Sequence, residues 1–165
     1  MKKKIITFLV LLMIFVTGCD LENNPNAKVE EFLGNYQRLD DNVVISYTSL
    51  TPSVDLSEEQ QSRYWKLIED QYKNLVYELK DEKVDGDKAT VTVEIEVTNF
   101  KKTMDKYNYA SYSDNEYNNK LLDELESIEE KVQYTIDFEL TKDDNGDWSV
   151  DDLTTEASDK LLGIY

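Results

Sequence analysis

Residues 75–100, LVYELKDEKVDGDKATVTVEIEVTNF, decide the fold that we predict for this chain. Their second half alternates polar residues with apolar residues at Ala89, Val91, Val93, Ile95 and Val97. A period of two is typical of a strand with one buried face and one solvated face. The intervening Asp85-Gly86-Asp87 indicates a tight turn, because glycine adopts positive φ readily. The stretch therefore predicts a long antiparallel hairpin.

The first arm of this hairpin has an irregularity at Asp81. Leu75, Tyr77 and Leu79 follow the period of two, which fails at Asp81 and resumes at Val84. A β-bulge would bend the strand and turn Asp81 outward. Alternatively, Asp81 is an acid on an apolar stripe, which is where a catalytic carboxylate in an apolar cavity would lie. The sequence leaves both interpretations open.

Two amphipathic helices are predicted before the hairpin. Asn24 is the expected N-cap of the first, with Pro25 at its first position, and Ser57 with Gln60 forms a capping-box pattern for the second. Residues 43–54 favour a strand by propensity but show no clean alternation, so an extended connection and a helix packed on the first both stay open. The predicted apolar stripes are Val29, Phe32, Leu33, Tyr36 and Leu39 in the first helix, and Tyr64, Trp65, Leu67, Ile68 and Tyr72 in the second.

A third helix and a second hairpin are predicted after Phe100. A polar connection at 101–113 leads to a capping-box pattern at 113–116, where the helix starts. Its apolar face is Tyr117, Leu121, Leu122, Leu125, Ile128 and Val132. Alternation from Val132 to Leu140, a turn at 143–147 and the pair Trp148 and Val150 form the hairpin, and residues 154–163 form a closing helical turn.

This order of elements predicts one α+β domain over residues 25–165. We expect helices packed on one face of a curved four-stranded antiparallel sheet. The arrangement, with Gly-Asp-Trp-Ser-Val-Asp-Asp-Leu at 146–153, resembles the cystatin-like or nuclear-transport-factor-like cone of many small bacterial lipoproteins. The resemblance implies a cone with an open end. The long segment between the hairpins departs from the simplest versions of that fold and leaves the strand order open.

The first nineteen residues have the layout of a secretory leader. Lys2, Lys3 and Lys4 precede a short apolar run, and Val16-Thr17-Gly18-Cys19 resembles the lipobox of bacterial lipoproteins. The resemblance implies cleavage before Cys19 and a lipid on its sulfur. Residues 20–24 would then be a short tether. We expect a protein anchored by lipid to the extracytoplasmic face of the cell membrane; an ordinary leader with an unmodified Cys19 is the alternative.

Charge and composition exclude several function classes. The chain has 18 Lys and Arg against 35 Asp and Glu, and removal of the leader lysines leaves 15 against 35, a net charge of −20. Such a surface repels nucleic acid and favours basic proteins or metal cations. There is no histidine, and Cys19 is the only cysteine, so His-based catalysis, His-metal sites and disulfides are excluded. No cofactor is predicted.

The acidic stretch from Thr141 to Asp152 was compared with a calcium-binding EF-hand loop. With Gly146 in the place of the invariant glycine, the first ligand is Thr141 where Asp is required, and the last is Asp152 where Glu is required. The flanks are also predicted strands rather than helices. A polar hairpin turn is the better interpretation, and no metal site is predicted.

A tyrosine-rich segment is the best candidate for a contact surface. Tyr107, Tyr109, Tyr112 and Tyr117 lie within eleven residues. Tyrosine is favoured at interfaces because it supplies a large contact area with few rotatable bonds. The alternative is that these rings cover the sheet or stack on the following helix.

These features predict a non-enzymatic binding module, held at the membrane by its N-terminal lipid, for a protein or small ligand. An immunity-type lipoprotein that masks a basic toxin is a narrower form of this prediction. A structural envelope protein and a cone-fold enzyme with a buried carboxylate are the alternatives from other classes.

Overall fold

The structure is a computed structural model that describes residues 23–39, 56–107 and 115–165. The predicted element order is confirmed, with one additional short helix. The elements are α1 (Pro25–Arg38), α2 (Glu58–Lys73), β1 (Val76–Asp85), β2 (Lys88–Thr98), α3 (Lys101–Met104), α4 (Asn115–Glu126), β3 (Lys131–Lys142), β4 (Trp148–Val150) and α5 (Thr155–Leu162).

The four strands form one open antiparallel sheet in the order β1-β2-β3-β4. Both predicted hairpins are present, and the central pair β2–β3 is in register from Lys88 opposite Thr141 to Thr98 opposite Lys131. Each strand therefore lies beside its neighbour in sequence. The strand order that the sequence left open is a simple meander.

The irregularity in β1 is a β-bulge. Leu79 lies opposite Val93 and Asp81 lies opposite Thr92, so Lys80 is the extra residue. Asp81 is exposed on the solvated side of the sheet. The bulge interpretation is confirmed, and Asp81 does not lie in an apolar cavity.

The helices cover one face of the sheet and enclose the core. On β2 the alternating residues from Ala89 to Val97 are all at least 97% buried, as the pattern predicts. Val29 and Leu33 of α1 and Tyr64 and Ile68 of α2 are fully buried in the same core. The intervening side chains of β2 point to the opposite face and stay exposed or half-exposed. The domain is therefore α+β with helices on one side of the sheet.

The predicted helix caps at the two N-termini are present. The Oδ1 atom of Asn24 accepts a hydrogen bond from the Ala27 amide at 2.9 Å. The Oγ atom of Ser57 accepts one from the Gln60 amide, and the Gln60 side chain accepts one from the Ser57 amide in return. These contacts satisfy amides that have no partner within the helix. They explain why α1 and α2 begin at these residues.

The predicted buried stripe of α2 is wrong at Trp65, which is 41% exposed. Successive residues of a helix are 100° apart, so burial of Tyr64 turns Trp65 toward the surface. The positions one turn before and two turns after Tyr64 are filled by Gln60 and Gln71, both buried. Neither glutamine belongs to the apolar stripe that the sequence predicts.

Three other expectations differ from the structure or fall outside it. Helix α4 ends at Glu126, so Ile128 follows the helix and Val132 belongs to β3, where it lies opposite Val97. The connection after Phe100 contains α3, which was not predicted. The first half of the 113–116 capping pattern and residues 43–54 lie outside the described residues.

A junction at one end of the sheet joins α2, β2 and α5. The Nε2 atom of buried Gln71 donates to the carbonyls of Thr98 and Leu162, both at 3.1 Å, and its Oε1 atom accepts from the Thr98 amide at 3.0 Å. Gly163 ends α5 with φ +75°, and a Cβ atom there would lie 2.0 Å from the Thr98 carbonyl oxygen. One buried glutamine and one glycine thus allow three elements to meet.

Candidate functional site

Tyr107 and Tyr117 form an aromatic pair on the helical side of the domain. Tyr107 follows α3, and Tyr117 lies in the first turn of α4. Their ring centroids are 5.1 Å apart with the planes at 72°. Edge-to-face pairs of this kind stabilise by about 0.5–1.5 kcal/mol beyond the area they bury. Both rings are half-buried against the core. These two tyrosines therefore contribute to packing, as the stacking alternative predicts.

The phenol of Tyr107 is also fixed by a carboxylate. Burial, together with a hydrogen bond to Glu124 of α4, raises the pKa of Tyr107 to about 12. The phenol is therefore neutral at physiological pH and donates to the carboxylate. Tyr107 is held in place and its hydroxyl group has a partner.

Tyr109 and Tyr112, the other two candidate contact residues, lie in the stretch 108–114, outside the described residues. Tyr107 and Tyr117, which lie on either side of that stretch in sequence, are in contact through their rings. The structure thus brings together two of the four predicted site residues.

The described chain begins at a fixed point on the sheet. The Oδ1 atom of Asn23 accepts a hydrogen bond from the Trp148 amide at 2.9 Å. Its Nδ2 atom donates to the Gly146 carbonyl and to the Asp147 carboxylate, each at 3.0 Å. Three residues, 20–22, lie between Cys19 and Asn23, so an extended backbone from Cys19 to Asn23 spans at most about 14 Å. Cys19, the predicted lipidation site, lies outside the described residues.

Both hairpin turns of the sheet lie at this same end. The Lys142 amide donates to the Asp87 carbonyl at 2.9 Å, which joins the end of β3 to the β1–β2 turn. We call this the tethered end of the sheet. It carries five aspartates in its two turns, Asp85, Asp87, Asp143, Asp144 and Asp147. The strands run from the tethered end to the junction at Thr98 and Gly163.

The carboxylate of Asp143, the first in the β3–β4 turn, binds backbone amides of the same turn. Oδ1 of Asp143 accepts from the amides of Asn145 and Asp147, at 2.8 and 2.9 Å. The backbone bond from Asp147 is the main reason why the pKa of Asp143 is lowered. Strands flank the turn on both sides, so the hairpin interpretation is confirmed. Across the described ranges, no group of three or more His, Cys, Asp or Glu side chains is arranged to hold a metal ion.

Acid–base chemistry would require a carboxylate in an enclosed apolar site. Among the described residues no Asp or Glu is buried. Asp159 of α5 has a pKa raised by partial burial, and it is the one described acid with a shift in that direction. Shallow surface depressions of about 140–330 Å³ lie between the described elements. The described residues therefore supply no enclosed site around a carboxylate.

The polar face of the sheet is a feature that the sequence analysis did not single out. Its central strands alternate inward apolar residues with outward Thr, Glu, Asp and Gln. The sequence already indicates that this face is acidic. Once alternation assigns the outward positions of β2 and β3, those between the strand ends include no Lys or Arg.

Comparison with known proteins finds no matching family model, no matching curated protein and no matching solved structure. None of the helices in the described ranges combines the length and the apolar character needed to cross a bilayer.

Proposed function

We propose that this chain is a non-enzymatic binding module, anchored by lipid at Cys19 to the extracytoplasmic face of the cell membrane, and that it binds a basic protein. The observation that carries the proposal is the lipobox-like Val16-Thr17-Gly18-Cys19 after a basic and apolar leader. The hydrogen bonds of Asn23 to the β3–β4 turn support it, since they would hold the domain within a few residues of the lipid.

The choice of a basic partner rests on charge. The chain from residue 20 onward carries a net charge of −20, and long-range attraction from such a surface accelerates association with basic proteins. The tyrosine-rich segment is one proposed contact surface for this partner, with Tyr109 and Tyr112 as contacts. Tyr107 and Tyr117 would support that segment through their ring contact.

The anchor is tested by metabolic labelling. Cells expressing the full chain are fed an alkyne-tagged palmitate, and the protein is recovered and its label measured. We expect label on the wild-type chain and none on Cys19→Ser, which replaces only the sulfur atom with oxygen. Equal label on both proteins, or none on either, would exclude a lipid at Cys19.

The binding role is tested by chemical crosslinking on intact cells, followed by mass spectrometry. We expect one dominant basic partner whose yield falls in the double variant Tyr109→Ala/Tyr112→Ala. Tyr165→Ala is the control, because Tyr165 is 51% exposed and lies far from the segment in sequence. Full retention of the partner in the double variant would remove the tyrosine segment from the proposal. Absence of any partner would favour a structural role in the envelope.

A further inference from the structure

The polar face of the sheet has an unusual pairing of charges between β2 and β3. Four neighbouring cross-strand pairs each contain one acid and one neutral residue: Thr90 with Glu139, Thr92 with Asp137, Glu94 with Thr135, and Glu96 with Gln133. Opposite charges across a strand pair would stabilise the sheet, yet no base occupies these eight positions. We call the four acids Glu94, Glu96, Asp137 and Glu139 the acidic face.

Neutral donors hold these carboxylates in place. The Thr92 hydroxyl donates to Asp137 at 2.6 Å, and the Thr90 hydroxyl donates to Glu139 at 3.1 Å. In the described part of the chain, Glu96, Asp137 and Glu139 form no ion pair. Asp137 and Glu139 are therefore oriented by hydrogen bonds, and no ion pair within the described residues neutralises their charge.

Lysines border the acidic face. The ammonium of Lys80, at the bulge in β1, lies 2.6 Å from Glu78 and 3.4 Å from Glu94. Lys83 lies opposite Thr90, and Lys88 and Lys131 lie at the two ends of the β2–β3 pair, opposite Thr141 and Thr98. Lys83 pairs with Asp81 and Lys88 with Asp151, so neither forms an ion pair with Asp137 or Glu139.

An exposed apolar side chain adjoins the carboxylates. Val76 is 60% exposed, and it lines a depression of about 330 Å³ together with Glu78, Glu94, Glu96 and Gln133. Lys and Arg have apolar stems with a charged end, so one such residue can pack its stem on an apolar side chain while its charge reaches a carboxylate. The depression therefore offers an apolar side chain for the stem and carboxylates for the charged end.

We propose that the acidic face, with Val76 at its border, is the docking surface for the Lys and Arg side chains of a basic protein partner. The proposal rests on the function proposed above and adds a second, charged contact surface for the partner, on the sheet face opposite the helices. Since the strands run from the tethered end toward the junction, the acidic face lies along the side of an anchored domain. A partner can therefore reach it without displacing lipid.

The size of the surface predicts the strength of the complex. Three long strands at a spacing of about 4.8 Å and eleven residues at about 3.4 Å give a face of roughly 500 Å². A stable interface buries about 800 Å² on each partner, so this face supports a weak complex that depends on charge. Its affinity should therefore fall strongly as salt is added.

The test uses the full chain in an uncharged detergent and a fluorescent ten-residue lysine peptide as the probe. Affinity is measured by anisotropy for wild type and for a variant with Glu94→Gln, Glu96→Gln, Asp137→Asn and Glu139→Gln. We expect a loss of affinity of at least about tenfold in this variant, because four carboxylates are lost while the polar shapes remain. A carbodiimide that joins carboxylates to lysine amines should couple the probe mainly to the acidic face.

A control variant removes the same number of charges elsewhere through Glu59→Gln, Asp70→Asn, Glu129→Gln and Asp144→Asn, all at exposed positions. We expect it to lose less than about threefold, since only general attraction is reduced. Equal losses in both variants, or coupling spread over the whole surface, would overturn the proposal. Self-association of the wild-type chain through this face, seen by size-exclusion chromatography, would also overturn it.

Failure of this inference is distinguishable from failure of the proposed function. If crosslinking on cells recovers a basic partner equally well with the acidic-face variant, the proposed binding function is supported and the proposed docking surface is wrong. If no partner is recovered with wild type, the binding function itself fails. Thermal unfolding of both variants checks their fold, and we expect no loss of stability because like charges are removed.

Discussion

Gly163 is the residue on which the junction of α2, β2 and α5 depends most directly. It combines positive φ with a backbone carbonyl in the space that a Cβ atom would occupy. Gly86 has a similar φ of +61°, but nothing lies within 4 Å of the Cβ position there. Substitution of the two glycines therefore separates the free-energy cost of positive φ from that of a steric clash.

We predict that Gly163→Ala destabilises the domain much more than Gly86→Ala. Positive φ costs an alanine about 1–2 kcal/mol at either position. At Gly163 the clash with the Thr98 carbonyl adds to that cost, because the strand must move. Urea unfolding of both variants measures the difference. Equal losses of unfolding free energy would show that α5 shifts freely at the junction.

The buried glutamines show where prediction from sequence stops at this scale. Gln60 and Gln71 are polar, and a polar side chain is placed at the surface unless its hydrogen-bond partners in the core are already known. The partners of Gln71 are backbone groups 27 and 91 residues away, so no local pattern contains them. Tyr64 and Trp65 are both aromatic, and the sequence alone did not decide which faces the core. The contacts of Asn23 could not be predicted for the same reason, since its partners lie more than 120 residues away.

The helices and strands were predicted best where one period was sustained. The alternation in β2 fixed its buried face, and the break in β1 correctly indicated the bulge at Lys80. Helix α4 was predicted too long because Ile128 and Val132 continue its apolar spacing. The two spacings overlap at Val132, which also begins the alternation of β3. Helix α3 is only four residues long, too short to show any period.

The capping box at the start of α2 provides a test at the scale of a helix. Ser57→Ala removes the acceptor for the Gln60 amide and should cost about 1 kcal/mol of unfolding free energy. Ser62→Ala, at an exposed position inside the same helix, is the control and should cost less, because alanine favours helices. Thermal and urea unfolding measure both. A larger loss for Ser62→Ala would contradict the role of the cap.

A pH-dependent contact joins α2 to α4. Arg63 donates to both carboxylate oxygens of Glu126, at 2.8 and 2.7 Å, and to Asp123 at 2.7 Å. The hydrogen bond from Arg63 is the main reason why the pKa of Glu126 is lowered from 4.5. A carboxylate whose pKa is lowered in the folded state adds unfolding free energy at pH values above the pKa of the unfolded chain. This contribution is lost as the pH falls through the pKa of the folded state.

We therefore predict that the destabilisation caused by Glu126→Gln depends on pH. The difference from wild type should be constant above about pH 5 and shrink at pH values below 4.5. Urea unfolding between pH 3 and pH 7 measures it. The same substitution made in an Arg63→Gln chain should show little of this dependence. If the dependence persists there, another group is responsible for the lowered pKa.

Net charge dominates the behaviour of the whole molecule. With 35 acids and no histidine, the chain has almost no side chain that titrates between pH 6 and pH 8. Mutual repulsion of the acids opposes the compact state, and salt screens that repulsion. The surface ion pairs contribute little in comparison, because most of their groups are exposed.

We predict that sodium chloride stabilises the domain. Raising it from 20 mM to 500 mM should raise the melting temperature at pH 7 by a few degrees, because about −20 of net charge is screened. The acidic-face variant, with four fewer charges, should show a smaller rise. A fall in melting temperature with salt would mean that ion pairs such as Arg63–Glu126 outweigh the repulsion.

The attachment of Asn23 also determines how the domain responds to mechanical force. A pull on the N-terminal segment is transmitted through Asn23 to the Trp148 amide, and hence to a strand of only three residues. Among the described strands, β4 pairs with β3 alone and lies opposite it at only three positions. Force applied at the leader should therefore peel β4 from the edge of the sheet first, while the eleven facing positions of β2 and β3 remain closed. The weakest link of the domain under load lies at its point of attachment.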